Sequence, residues 1–121
     1  MNIKHLAALA TMTIATAFSA SAQAHARLEA SSPKAGSVVA AAPKEVRLQF
    51  NEPIELPFSK VRLLDQKGVA VELSKLGLDK SDPKAMIAAI PPLHPGSYQV
   101  QWATVTRDGH KVKGAFSFKV K

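Results

Sequence analysis

Cysteine is absent from this chain of 121 residues, and methionine occurs only three times. Without thiols the chain can form no disulfide, and thiolate ligands for a metal ion are excluded. Met1 and Met12 fall within the first 24 residues. Met86 lies in the apolar residues 85–90, which predicts a core position rather than a metal ligand. Any metal site in this chain is therefore expected to use nitrogen and oxygen atoms.

Apolar runs of membrane-spanning length are also missing. The longest uncharged, mostly apolar run covers residues 6–18, and its 13 residues are too few to cross a bilayer as a helix. It follows Lys4 and precedes the small-x-small sequence Ala22-Gln23-Ala24, an order that predicts a secretory signal peptide over residues 1–24. We expect cleavage after Ala24 to leave one domain, residues 25–121, which begins with His25. Cuts two residues earlier or later are the chemical alternatives.

Acidic residues are fewer than basic ones: residues 25–121 contain 15 Lys and Arg against 9 Asp and Glu. A basic excess can attract nucleic acid or an acidic membrane surface. The lysines, however, are scattered from Lys34 to Lys121, without a cluster and with little aromatic interleaving. The sequence therefore predicts a basic exported domain that binds no nucleic acid.

Helical periodicity is absent, whereas short strand-like segments recur along the chain. These segments are residues 25–31, 45–51, 59–64, 69–73, 85–90, 98–102 and 112–120. Their alternation of polar and apolar side chains places Val46, Leu48 and Phe50 on a core face. Residues 74–84, which contain Gly, Asp and Pro, predict a loop. About seven short strands in a chain of this length indicate an all-β domain, a single antiparallel Greek-key β-sandwich.

The chemistry is concentrated in Asp108-Gly109-His110, at a turn between two strand-like segments. If His25 is a free N-terminus, its amine and imidazole Nδ1 can chelate one metal ion. Adding the Asp108 carboxylate and the His110 imidazole makes a set of three nitrogens and one oxygen, which suits Cu(II) in a tetragonal site. The alternative remains open that Asp-Gly only forms a hairpin turn and that His110 is a solvated surface residue.

The late Asp-x-His combined with a histidine at the mature N-terminus resembles the CopC family of periplasmic copper-resistance proteins. Further matches cover most of residues 25–121: Ser31-Ser32-Pro33, Leu48-Gln49-Phe50-Asn51-Glu52-Pro53, Asp82-Pro83-Lys84-Ala85-Met86, Gly96-Ser97-Tyr98-Gln99-Val100-Gln101-Trp102 and Gly114-Ala115-Phe116-Ser117-Phe118. The resemblance implies a sandwich related to the cupredoxin and immunoglobulin-like folds.

The resemblance also implies a periplasmic protein that binds one Cu(II) ion through His25, Asp108 and His110. Glu52 matches an acidic residue that lies near copper in some members, where it could be an axial ligand or orient the N-terminus. The family implies a role as copper carrier or buffer in copper homeostasis, with an inner-membrane partner of the CopD type. We expect a monomer. Members with a second site carry a methionine-rich loop, which residues 63–73 lack, so Cu(I) binding is in doubt.

Two other functions are alternatives to the role of copper carrier. An amine with two imidazoles is also the copper brace of oxidative polysaccharide monooxygenases, but Asp108 would occupy the open position that such enzymes need. A metal-free, immunoglobulin-like interaction module is the second alternative. We expect no enzyme, because the sequence offers neither a nucleophile–base arrangement nor a glycine-rich phosphate loop. His94, between prolines, predicts an exposed turn, and Trp102 predicts a core position.

Overall fold

Two β-sheets packed face to face make up the fold in the computed structural model, which describes residues 27–121. The nine strands are β1 (Leu28–Ser32), β2 (Val38–Val39), β3 (Glu45–Phe50), β4 (Lys60–Leu64), β5 (Ala70–Val71), β6 (Gly77–Asp79), β7 (Asp82–Ala89), β8 (Gly96–Val105) and β9 (Lys111–Val120), with one 3-10 turn at Leu56–Phe58. The four-stranded sheet has the order β1-β3-β7-β6. The five-stranded sheet has the order β2-β9-β8-β4-β5. The predicted all-β sandwich is confirmed.

Strand pairing differs from the expectation in two places. β2 runs parallel to β9, whereas every other named strand pair is antiparallel. The loop predicted for residues 74–84 is wrong, because β6 pairs with β7 and β7 begins at Asp82. The turn between them is closed by Asp79, whose carboxylate accepts hydrogen bonds from the Ser81 backbone N–H and hydroxyl at 2.8 and 2.9 Å. These side-chain contacts outweigh the low strand propensity of Gly and Asp.

The core lies between the two sheets and contains the residues that the alternation predicted. Val46, Leu48 and Phe50 of β3 are each at most 1% exposed, and Met86 of β7 is fully buried. Phe50 meets Trp102 of β8 edge to face, with ring centroids 5.1 Å apart. This contact joins the two sheets and confirms the core position predicted for Trp102.

Within residues 27–121, no helix has the length and apolar character needed to cross a membrane. The predicted signal peptide, its cleavage site and His25 lie outside the described residues.

Gly114 of β9 lies directly opposite Trp102, and the indole occupies the space that a side chain would need. A Cβ atom at Gly114 would come within 2.6 Å of Trp102 Cζ2. We expect Gly114→Ala to lower the free energy of unfolding by about 1–3 kcal/mol, as overpacking does in well-packed cores. Urea denaturation followed by Trp102 fluorescence would measure the loss.

Gly77→Ala is the matched control, because Gly77 is also in a strand and no atom lies within 4 Å of the position that an alanine methyl would take there. This variant should keep the stability of the parent chain or gain slightly. Equal stability of the two variants would contradict the close packing of Gly114 on the indole.

Candidate metal centre

The loop between β8 and β9 brings Asp108 and His110 together. Its base is closed by the pair Val105↔Lys111, and within it the Thr106 backbone N–H donates to the His110 carbonyl at 2.9 Å. Gly109 has φ 92°, a left-handed conformation that glycine adopts without steric cost, and its N–H donates to the Thr106 carbonyl at 2.8 Å. A turn is therefore present, but its central residues are Arg107 and Asp108 and not the Asp-Gly pair of a two-residue hairpin. It reverses the chain so that two polar side chains meet.

The Asp108 and His110 side chains are in direct contact. His110 Nδ1 lies 2.8 Å from Asp108 Oδ2, and both side chains are about half exposed, at 47% for Asp108 and 49% for His110. The second carboxylate oxygen, Oδ1, accepts a hydrogen bond from the hydroxyl of Thr106. The loop thus presents an imidazole and a carboxylate side by side to solvent.

Thr106 is the residue that sequence reasoning missed. It is 1% exposed, forms an isolated bridge with Ile54, and directs its hydroxyl at Asp108. A threonine two residues before a turn aspartate was the available signal, because short polar side chains often bond to groups two residues away. Thr106 fixes the position of the carboxylate from beneath the loop.

Hydrogen bonds keep Asp108 in its ionised form. The Thr106 hydroxyl, followed by the His110 side chain, lowers the pKa of Asp108 from 3.8 to about 2. The carboxylate is therefore available to a cation at any pH of the periplasm or cytoplasm, and a metal ion would displace no proton from it.

We expect Thr106→Val to raise the pKa of Asp108 from about 2 towards 3.8, because valine has nearly the same shape but cannot donate. Carboxyl-carbon NMR during an acid titration would follow this group. Thr104→Val is the control: Thr104 lies in β8, two residues before Thr106, and is about equally buried, but its hydroxyl contacts the Ser59 hydroxyl at 2.6 Å. A pKa of Asp108 that moves equally in both variants would contradict the assigned role of Thr106.

Arg27 is connected to this loop by hydrogen bonds through residues 51–53. The Arg27 backbone N–H donates to Asn51 Oδ1 at 2.8 Å, and the Arg27 carbonyl accepts from the Asn51 N–H at 3.2 Å. Two residues further on, the Pro53 carbonyl accepts from the N–H of Arg107 at 3.3 Å. The short stretch 51–53 therefore contacts both Arg27 and the residue that precedes Asp108.

The other candidate residues occupy different positions. Glu52 lies within the 51–53 stretch and is half-buried, but it forms no ion pair or side-chain hydrogen bond with residues 27–121. His94 is exposed and precedes β8, whereas the Asp108–His110 loop follows the far end of this ten-residue strand. No group of three His, Cys, Asp or Glu side chains suited to a metal occurs in the described part of the chain. Asp108 and His110 are thus the two predicted ligands that lie together within residues 27–121.

The two atoms that the structure brings together share a hydrogen bond, and their spacing would also suit a tetragonal metal ion that replaced the shared proton. Neighbouring ligands about 2 Å from one ion are separated by roughly 2.8 Å. This is the distance between His110 Nδ1 and Asp108 Oδ2. Met86 is fully buried and cannot add a sulfur ligand at this surface. The loop therefore offers one nitrogen and one oxygen as candidate donors.

Comparison with known proteins gives one family. The family model described as the CopC domain matches residues 28–121. Protein YobA of Escherichia coli (strain K12) is 33% identical over 121 residues, 99% of this chain and 95% of that protein. Copper resistance protein C of Pseudomonas syringae pv. tomato is 38% identical over 109 residues, 85% of this chain and 86% of that protein.

A solved structure agrees with these sequence matches. The crystal structure of CopC from Methylosinus trichosporium OB3b superposes with a TM-score of 0.76 at 34% identity, covering 80% of this chain and 94% of that one. The family match over residues 28–121 includes both sheets and the loop that carries Asp108 and His110.

Proposed function

Because this chain belongs to the CopC domain family, we propose that it binds one Cu(II) ion and acts in copper resistance or homeostasis as a periplasmic carrier or buffer. The observation that carries the proposal is the contact between His110 Nδ1 and Asp108 Oδ2 at 2.8 Å on an exposed loop. Copper is proposed as the metal because the relatives of this chain include copper resistance proteins. Membership of this family also agrees with the expectation of a binding protein rather than an enzyme.

The anchoring of Arg27 supports His25 as the other half of the site. Two residues of extended chain cover up to about 7 Å. Arg27 bonds to Asn51, and the nearby Pro53 bonds to Arg107, next to Asp108. In the proposed site the two residues before Arg27 lead towards the loop, so that the His25 amine and imidazole reach the same ion.

In the proposed site each residue has a distinct role. His25 contributes its α-amine and imidazole as one chelate, which loses less conformational entropy than two ligands from separate residues. His110 adds a second imidazole and Asp108 a charged oxygen, which lowers the net charge of the bound divalent ion. Nitrogen and oxygen donors without sulfur favour Cu(II) over Cu(I). Glu52 stays a candidate axial or outer-sphere group.

The proposal extends to export and to partners. Residues 1–24 would direct the chain to the periplasm as a signal peptide, and their removal would create the N-terminal amine of His25. We propose a monomer that exchanges copper with an inner-membrane protein of the CopD type.

Intact mass of the exported protein, followed by Cu(II) titration with electron paramagnetic resonance, tests the proposal. We expect a mass that begins at His25, one Cu(II) per chain, and hyperfine structure from three nitrogens. Exported protein that begins at His25 and takes up no Cu(II) would favour the metal-free interaction module. Peroxide- or ascorbate-driven turnover of polysaccharide would favour the copper-brace enzyme.

A further inference from the structure

The outer face of the five-stranded sheet carries positive charge and no negative charge. Alternation along β4, β8 and β9 directs every second side chain to this face. Its basic residues are Lys60, Arg62, Lys111, Lys113 and Lys119. None of the outward-facing residues in this sheet is Asp or Glu, and none of the five cations forms an ion pair within residues 27–121.

The four-stranded sheet is different, because it carries both signs of charge and some of its charged side chains have partners. The Arg47 guanidinium pairs with the carboxylate of Asp79, and the Gln49 amide donates to Asp82 at 2.8 Å. Part of the charge on that sheet is therefore paired within the fold, whereas the cations of the five-stranded sheet are presented to solvent without an ion pair within residues 27–121. Four of the lysines that look scattered along the sequence, Lys60, Lys111, Lys113 and Lys119, are brought by the strand register onto this one face.

Two rows of cations on this face border a groove. Ala103 of β8 lies between Lys60 of β4 and Lys113 of β9, and the two lysines are about 10 Å apart across two strand spacings. The small side chain of Ala103 leaves a depression between the long ones. Two adjoining depressions, of about 580 and 640 Å³, share these three residues and form one continuous groove.

The groove has an apolar floor and an aromatic end. Ala103, Val105 and Ala115 line it between the cations, and Phe58, which is 69% exposed, borders the depression nearer the Asp108–His110 loop. A narrow groove with basic rims and an apolar floor is complementary to an extended chain whose side chains alternate between acidic and apolar.

We propose that this groove, with Lys60, Arg62, Lys111 and Lys113 at its rims, is the docking site for an extended acidic segment of a partner protein. Carboxylates of the segment would meet the rim cations, and its small apolar side chains would meet the floor. A second copy of this chain fits poorly, because two basic faces repel each other. A bilayer surface is flat and could not reach the floor between the lysine rows.

The groove lies next to the loop that carries Asp108 and His110. Val105 and Lys111, which line it, directly precede and follow the loop that carries Asp108 and His110. A segment in the groove would therefore place its partner beside the proposed copper site. Only this consequence rests on the proposed function, since the docking itself is argued from surface charge and shape and is tested without copper.

The probe is a fluorescein-labelled ten-residue peptide of alternating Asp and Val, with a Lys-Val peptide as its charge control, and the readout is fluorescence anisotropy with copper-free protein. We expect the Asp-Val peptide to bind and the Lys-Val peptide not to bind. Lys60→Glu/Lys113→Glu should weaken binding about tenfold or more, as like charges do at an interface. Lys75→Glu/Lys80→Glu, at two exposed lysines on or next to the four-stranded sheet, makes the same change in net charge and should have little effect.

Two further variants separate the groove from net charge and from misfolding. Ala103→Lys adds a positive charge but fills the floor, so it should weaken peptide binding, whereas binding to phosphatidylglycerol vesicles should not fall. Lys60→Gln/Lys113→Gln, checked by circular dichroism, replaces the glutamate pair if that variant does not fold. The proposal is overturned if the peptide does not bind, if both charge-reversal pairs lose binding equally, if Ala103→Lys binds the peptide more tightly, or if vesicles alone bind through Lys60 and Lys113.

Discussion

One glycine added before His25 should weaken Cu(II) binding by about two orders of magnitude or more, roughly 2.8 kcal/mol at 1.4 kcal/mol per tenfold. The extension converts the α-amine of His25 into an amide, which is a poor ligand while it keeps its proton. The metal then loses one of four proposed donors and the chelate ring that this donor closes. Competition titration against a chelator of known affinity, with Trp102 fluorescence as a second readout, would measure the change.

The control for this experiment is the same glycine added after Lys121. That chain has the same mass and composition as the extended one, but the N-terminus of His25 is intact. Lys121 is exposed, and its backbone N–H donates to the Val39 carbonyl, a bond that the addition leaves in place. If both extended chains bind Cu(II) as tightly as the parent, the N-terminus is not part of the site.

His110→Ala should lower Cu(II) affinity by a comparable factor, about 100-fold, because an imidazole donor is removed and Asp108 loses its neighbour. The side chain is half exposed and belongs to a loop, so we expect the melting temperature to change little. Electron paramagnetic resonance of the residual copper should show fewer coupled nitrogens than the parent protein shows.

His94→Ala is the matched variant, because it removes an exposed histidine at the other end of β8. The ten residues of β8 separate the two positions by about 30 Å. The His94 side chain takes no part in the hydrogen bond that its carbonyl accepts from Tyr98 at 2.6 Å. Equal loss of affinity in the two variants would show that copper binds to histidines without the loop geometry.

The fold was largely predictable because strand alternation is a local property. The pattern of residues 45–51 specifies which side chains face the core, and Val46, Leu48 and Phe50 are buried accordingly. The strand β6 was missed because Gly77 and Asp79 have low strand propensity, and it is stabilised by contacts between Asp79 and the distant Arg47. Contacts across 32 residues leave no local pattern in the sequence.

The residue types of the candidate site were predictable from the sequence, but the hydrogen bonds that hold them in place were not. Asp108 and His110 are two residues apart, and a two-residue spacing limits how far they can separate, so their meeting could be expected. The hydrogen bond from Thr106 to Asp108 was not predictable, because it requires Thr106 to be buried next to Ile54, just after the end of β8. Linkage of Arg27 to the loop runs through residues 51–53, about 25 positions away along the chain.

By itself the sequence determined the all-β class, the lack of thiolate donors, and the close positions of Asp108 and His110, because each follows from residue type and short-range spacing. The tertiary structure alone decided which distant groups meet. Strand register placed lysines from β4 and β9 on either side of Ala103, and turned a scattered basic composition into one charged groove. The hydrogen bonds of Asn51 and Pro53 connect Arg27 and Arg107 to the same short stretch, residues 51–53. Such arrangements come from pairing between remote strands, whose energy depends on the whole sheet and not on any one segment.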